Sequence, residues 1–247
     1  MVSTKTLYNL VNGSLLRARA IDCPRIVRFR PRRASKPLKL NTKCRVNRTY
    51  QDYLSYYQAA PDLSLVEIDT VEGTKGGKVL LTMVLTPFDI FLAFLRDQND
   101  AASVIKSFDH LKEVLGLELY CQLFALVLTD NGSEFSQPTK MEVTHLKGKS
   151  SRLFYCDPKA PEQKPHIENA HGLLRRVLPS GSSFDHLTQQ DVDLIVSNIN
   201  SYSREKLNGS TPFKLFSSVY PPEILQDLQV SEIDPNDINL TPSLLLK

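Results

Sequence analysis

Three acidic residues stand where a metal-assisted reaction would need them. Asp69 lies near the end of an apolar run, Leu65-Val66-Glu67-Ile68-Asp69-Thr70-Val71, and Asp130 follows a second run, Leu123-Phe124-Ala125-Leu126-Val127-Leu128-Thr129. Glu168 falls in the first turn of a helical pattern that starts near His166. In an open α/β sheet the carboxyl ends of neighbouring strands form one rim, and a helix starting nearby can bring its first turn to the same place. Carboxylates crowded this way raise one another's pKa, so the cluster makes sense with divalent cations to neutralise it. Mg²⁺, with Mn²⁺ as its substitute, accepts a few carboxylates together with water and phosphate oxygens. Two such ions about 4 Å apart hold the attacking and leaving oxygens of an in-line phosphodiester displacement. Each acid also has a plainer reading. Asp130-Asn131-Gly132 is a turn sequence, Glu168 suits the positive end of a helix dipole, and Glu72 and Glu134 could substitute as ligands.

The surrounding pattern predicts the elements that would position these acids. Leu65–Val71 reads as a strand, and Lys78–Leu85 and Ile90–Leu95 as two more around Thr86-Pro87. The short connection between the last two implies antiparallel pairing. Ala101–Leu115 repeats apolar residues at helical spacing and stops at Gly116, a suitable C-terminal cap. The almost wholly apolar Leu123–Thr129 reads as a central strand buried on both faces. Arg152–Cys156 is a further strand, followed by the Pro-rich stretch 157–165 and a helix over His166–Leu178. Together these give an α/β fold with a mixed sheet, three antiparallel strands followed by parallel ones, with helices on both faces. On the last helix, positions 168, 171, 172 and 175 share a face, so Gly172 would permit close approach while Arg175 reaches a phosphate. Asn131 and Asn169 are candidates to orient carboxylates or water from behind, with capping as the equal alternative for each, and Lys164 is a candidate contact to a phosphate backbone.

Charge is segregated along the chain. Residues 17–48 hold twelve Lys or Arg and one acid, Asp22, a net +11 within a chain whose total is +3, so the remainder carries −8. The stretch with Arg28, Arg30, Arg32 and Arg33 suits counterion release from a phosphate backbone; the alternative is a solvated linker punctuated by Pro24, Pro31 and Pro37. Ahead of it, residues 3–16 begin as a short helix with Ser3 as N-cap and Asn12-Gly13 as stop. Behind it, Tyr50, Tyr53, Tyr56 and Tyr57 recur at helical spacing and read as packing on the core. Four widely separated cysteines without a Cys-x-x-Cys pair argue against structural zinc. The longest apolar runs fall well short of the roughly 20 residues a membrane helix needs, and the absence of a leader pattern makes the cytoplasm the expected compartment.

The local text then resembles a known family. Thr129-Asp130-Asn131-Gly132-Ser133-Glu134-Phe135, Phe154-Tyr155-Cys156-Asp157-Pro158 and Ile167-Glu168-Asn169-Ala170-His171-Gly172-Leu173-Leu174-Arg175 are similar to motifs of the insertion sequence thirty transposases, DDE recombinases with an integrase-type core. Glu67–Gly73, Asn198–Tyr202, Lys206–Gly209 and Thr211–Phe216 continue the likeness, which covers residues 61–220. Residues 2–16 resemble the last helix of the family's helix-turn-helix, so an N-terminally shortened form is expected. The chain departs from the family pattern in having no Trp. The resemblance implies an RNase H-like core over 61–220, a helix-turn-helix remnant at 1–16, a basic and Tyr-rich linker at 17–60 and a tail at 221–247. It further implies Asp69, Asp130 and Glu168 as catalytic metal ligands for two Mg²⁺ ions, and nicking of element ends followed by attack of the freed 3′-hydroxyl. Double-stranded DNA, at element ends and target, is the implied partner, with a homo-oligomer on the nucleoid of a bacterial cell and no membrane. Two other readings of the residues stand beside this one: an RNase H-fold nuclease, and a catalytically silent DNA-binding remnant that competes with intact transposase.

Overall fold

The computed structural model describes residues 2–13, 15–18, 43–146 and 148–246, and the chain divides into two compact units, residues 1–39 and 40–247. In the first, α1 (Thr4–Asn12) forms where the capping signals put it. The Ser3 hydroxyl accepts the Thr6 N–H, Gly13 caps the other end, and none of the helix's residues is buried. Arg28, Arg30, Arg32 and Arg33 lie outside the described residues.

The second unit opens with a 3-10 turn at Lys43–Arg45 and α2 (Tyr50–Ala59), started by a reciprocal capping box between Thr49 and Asp52. A hairpin series follows: β1 (Leu65–Glu72), β2 (Val79–Leu85) and β3 (Ile90–Arg96). Next come α3 (Ala101–Leu123), β4 (Leu126–Thr129), α4 (Pro138–Met141), β5 (Val143–Leu146), β6 (Lys149–Tyr155) and α5 (Pro165–Val177). The chain closes with α6 (Gln189–Ser201), α7 (Pro212–Ser217) and α8 (Glu223–Asp227). No described helix is long and apolar enough to cross a membrane.

One sheet runs β3-β2-β1-β4-β6-β5. The first three strands are antiparallel, β1, β4 and β6 are parallel, and β5 turns back antiparallel on β6. This is the RNase H-like arrangement expected, with β5 as a strand beyond those the apolar pattern predicts. A second difference lies ahead of β4. Gly116, at φ +70, does break the helix, but helical structure resumes to Leu123, so β4 begins at Leu126. A wholly apolar run suits the buried end of a helix as well as a strand, and periodicity alone does not separate them.

Alternation across the strands sorts the two faces. Val66, Ile68, Met83 and Val127 face α3, whose Val104, Phe108 and Leu111 are fully buried. On the other face Leu126, Leu128, Phe154 and Cys156 pack with Tyr53 of α2, whose ring meets Phe154 edge-on at 5.9 Å. The tyrosines therefore serve packing, as their spacing predicts. α5 lies on this same face, His171 reaching Thr82 of β2.

The edge strand β3 is sealed by side chains. Asn200 of α6 accepts the Phe91 N–H at 2.8 Å and donates to the Phe91 carbonyl at 2.7 Å. Gln189 does the same for Leu95 N–H and the Ala93 carbonyl. At the β2–β3 turn Asp89 is 2% exposed and is neutralised by Arg204 and by Lys206 at 2.7 Å. The described part of 221–247, expected from the sequence to be a tail, is instead part of the fold through residues 221–246. Leu225 and Val230 are each 1% exposed, and the backbone N–H groups of Ser231, Ile233 and Asn239 donate to Ser197, Ser201 and Asn198 of α6. Weak apolar patterning conceals this, because the segment is held by side-chain to backbone bonds rather than by an amphipathic stripe.

Candidate active site

The parallel register of β1 and β4 pairs Leu65 with Leu126 and Glu67 with Leu128. Continuing that offset by two residues sets Asp69 opposite Asp130 on one face of the sheet, adjacent strands lying about 4.8 Å apart. Burial pushes the Asp130 carboxyl up from the ordinary range, and the neighbouring Asp69 charge pushes the same way; the Lys164 and Arg45 charges and the Gly132 N–H oppose them. That N–H bond, 3.0 Å to Asp130 Oδ1, is the turn geometry the Asp-Asn-Gly triplet suggests. A Cβ at Gly132 would come within 2.4 Å of the Glu134 carboxylate, so that side chain would have to shift.

α5 is fixed over this pair by β1 itself. Its first turn has no side-chain cap of its own, and Pro165 at the start lacks an N–H. Glu67, 2% exposed and two residues before Asp69, supplies the cap by accepting the Ile167 N–H at 2.8 Å. One turn on, Thr82 gives its single hydroxyl hydrogen to the Asp69 carbonyl at 3.0 Å, so His171 must donate Nε2–H to the Thr82 oxygen at 2.9 Å. Burial first, then the Lys164 and Arg175 charges, hold the His171 pKa down at about 4, so the ring is neutral at physiological pH. At the far end Arg175 donates to the Glu72 carbonyl at 3.1 Å, so the guanidinium expected on a phosphate is partly engaged by the end of β1.

Lys164 departs most from expectation. Instead of facing a DNA backbone, its side chain is 4% exposed, with Nζ 3.0 Å from the Ile68 carbonyl and 3.2 Å from Asp69 Oδ2. Glu168 is exposed beside it on α5. Asn131 ties the ends of β4 and β6 through the Cys156 carbonyl at 2.9 Å, and its Oδ1 is buried without a partner. Asn169 is exposed. A Cβ at Gly172 would meet nothing within 4 Å, so the close approach expected there is not to the chain itself. Glu72 accepts from Asn99 at 3.2 Å, away from the pair. Glu67, His171 and an inward Lys164 are site residues that the sequence did not announce. Only the shared helical face of 168 and 171 hinted at one of them.

The donor chemistry at Asp69 and Asp130 suits a cation: the two carboxylates act on each other electrostatically, Asp130 is desolvated, and a positive group already sits against Asp69. Among the described residues, however, no three His, Cys, Asp or Glu side chains are close enough together to hold a metal ion. The register thus sets Asp69 and Asp130 on one face, Glu168 is exposed on α5, and Lys164 supplies positive charge at Asp69.

The sheet order and strand directions define an RNase H-like core, with Asp69 and Asp130 near the ends of its first two parallel strands. No protein-family model matches the chain. It is similar to the probable transposase of insertion-like sequence element IS1161 of Streptococcus salivarius, 27% identical over 87% of this chain and 58% of the relative. It is also similar to the transposase InsI of element IS30A of Escherichia coli K12, 30% identical over 39% of this chain and 24% of the relative. A third relative is the transposase of element IS1086 of Cupriavidus metallidurans, 35% identical over 28% of this chain and 20% of the relative. The chain is therefore related in sequence to IS30-type transposases, and it spans less than two thirds of the length of each of these relatives. Solved structures aligning with it include the catalytic core domain of BIV integrase, at 17% identity and a TM-score of 0.40 over 62% of this chain and 93% of that one.

Proposed function

We propose that the chain is the catalytic core of an insertion-sequence transposase that nicks DNA at element ends and directs the freed 3′-hydroxyl onto a second phosphodiester. The observation that carries this reading is the parallel register of β1 and β4, which continued by two residues sets Asp69 opposite Asp130, with the Asp69 charge acting on Asp130; α5 bears Glu168. Sequence similarity to IS30-type transposases supports it. In this reading Asp69 and Asp130 hold the metal and Glu168 completes the set. Bound Mg²⁺ would supply polarisation of the phosphate and acidification of the attacking hydroxyl. Glu67 and His171 keep α5 seated over β1 and β2, Asn131 fixes the turn that carries Asp130, and Arg175 is placed to meet the phosphate side of the rim. The basic segment, with Arg28, Arg30, Arg32 and Arg33, holds the duplex, and two copies act together on the two ends of an element in the bacterial cytoplasm.

The test is a strand-transfer assay with labelled element ends in Mg²⁺. The expected result is nicked and joined product, with Asp69→Asn, Asp130→Asn or Glu168→Gln each losing nicking by more than about a hundredfold while salt-sensitive DNA binding persists. Near-full cleavage by any of the three variants removes that residue from the set. Nicked product that is never joined identifies a nuclease instead.

A further inference from the structure

Lys164 behaves unlike a lysine of a Pro-rich surface loop. Its residue is 3% exposed, and the ammonium has two acceptors drawn from consecutive residues of β1, the Ile68 carbonyl and the Asp69 carboxylate. Its charge also bears on Asp130 and on His171. A buried ammonium persists only where specific partners replace its water, and one of its two partners is Asp69, an acid assigned above to metal. We infer that Lys164 is a resident counter-ion: in the metal-free protein its ammonium stabilises the Asp69–Asp130 pair, and a divalent metal must displace it to bind. The inference rests on the metal-binding reading of Asp69 and Asp130.

Three observations lead there. A metal ion bonds a carboxylate oxygen at about 2.1 Å, so one seated on Asp69 Oδ2 would lie within roughly 5 Å of an ammonium 3.2 Å from the same atom, and two like charges that close in a buried site repel strongly. Lys164 also sits at the start of α5, outside helical geometry, and its carbonyl receives the Glu168 N–H at 3.4 Å, so the lysine that fills the site and the acid that should complete it share one helical end. Finally, the stem of Lys164 is flexible, so the ammonium can leave along the rim without unfolding the helix that Glu67 caps. The exchange of one cation for another then gives the site two states, one with Lys164 inside and Glu168 exposed, one with metal inside and Glu168 free to join it.

The experiment is calorimetric titration of the full chain with Mn²⁺, comparing the unmodified protein with Lys164→Gln, Lys164→Arg and Asp130→Asn, each checked for folding by circular dichroism. Lys164→Gln should bind Mn²⁺ at least about tenfold more tightly, Lys164→Arg should bind like the unmodified chain, and Asp130→Asn should lose binding. Equal or weaker binding by folded Lys164→Gln, with Asp130→Asn still defective, overturns the inference and leaves the metal-site reading standing. Failure of both the unmodified chain and Lys164→Gln to bind Mn²⁺, or binding unaffected in Asp130→Asn, overturns both. Should Lys164→Gln not fold, the unmodified chain decides: the slowly exchanging Lys164 ammonium signal in ¹⁵N spectra should vanish on Mg²⁺ addition, and its persistence at saturating Mg²⁺ overturns the inference.

Discussion

Asp130 places an ionisable group where burial and a neighbouring carboxylate both oppose its charge. Because its folded pKa lies above the unfolded value, the folded chain takes up a proton more readily than the unfolded one. The ionised carboxylate therefore costs stability at neutral pH; the cost fades as pH falls through the raised folded pKa and is gone below the unfolded value. Asp130→Asn should accordingly melt a few degrees higher than the unmodified protein in metal-free neutral buffer, with the gap closing in acid, as thermal denaturation at both pH values will read. A gap that widened in acid would contradict the raised pKa. The strand ends and helix start that carry the candidate acids were legible in the sequence, since each acid ends an apolar run or opens a helix. Lys164, Glu67 and His171 were not. A lysine flanked by prolines looks like a surface contact, and a glutamate inside a strand gives no sign that it will cap a helix a hundred residues away.

At the scale of elements, the strands and helices were largely readable because period-2 and helical apolar spacing survive in β1 to β3 and in the first part of α3. Legibility failed where structure depends on partners. β5 is short and is defined by β6, and the end of α3 shares one apolar run with β4. The sealing of β3 belongs to this class too, since no pattern announces that Asn200 and Gln189 will answer backbone groups of an edge strand. An open edge invites pairing with other chains, and side-chain amides remove that opportunity here. Asn200→Ala would leave the Phe91 N–H and carbonyl buried without partners, a loss of roughly 2–4 kcal/mol. Urea unfolding should show it as a lowered midpoint, accompanied by light scattering from association; an unchanged midpoint would mean that water replaces the amide at no cost.

For the whole molecule, charge segregation makes a prediction independent of the acids. Residues 17–42 carry nine of the basic residues, whereas Lys43–Arg48 belongs to the second unit, where Arg48 pairs with Glu142. Removing 17–42 should weaken binding to all DNA sequences alike and flatten its dependence on salt by several units of slope, about 0.9 for each phosphate no longer neutralised. Retained salt dependence, measured by fluorescence anisotropy across salt concentrations, would assign the phosphate-binding cations to the core instead. The C-terminal residues belong to the same scale. Their weak apolar pattern misleads because they complete α6 through hydrogen bonds, not by forming a separate layer.

The last arginine of the basic stretch is fastened twice. Arg48 makes a two-pronged bond to Glu142, at 3.1 and 2.7 Å, and its carbonyl receives the Tyr155 N–H of β6. β6 lies directly beside β4, the strand that ends at Asp130. Tension applied at residue 48 would thus be borne by β6 and, through its pairing, by the strand that leads to Asp130, which makes this arginine a mechanical anchor in the sheet.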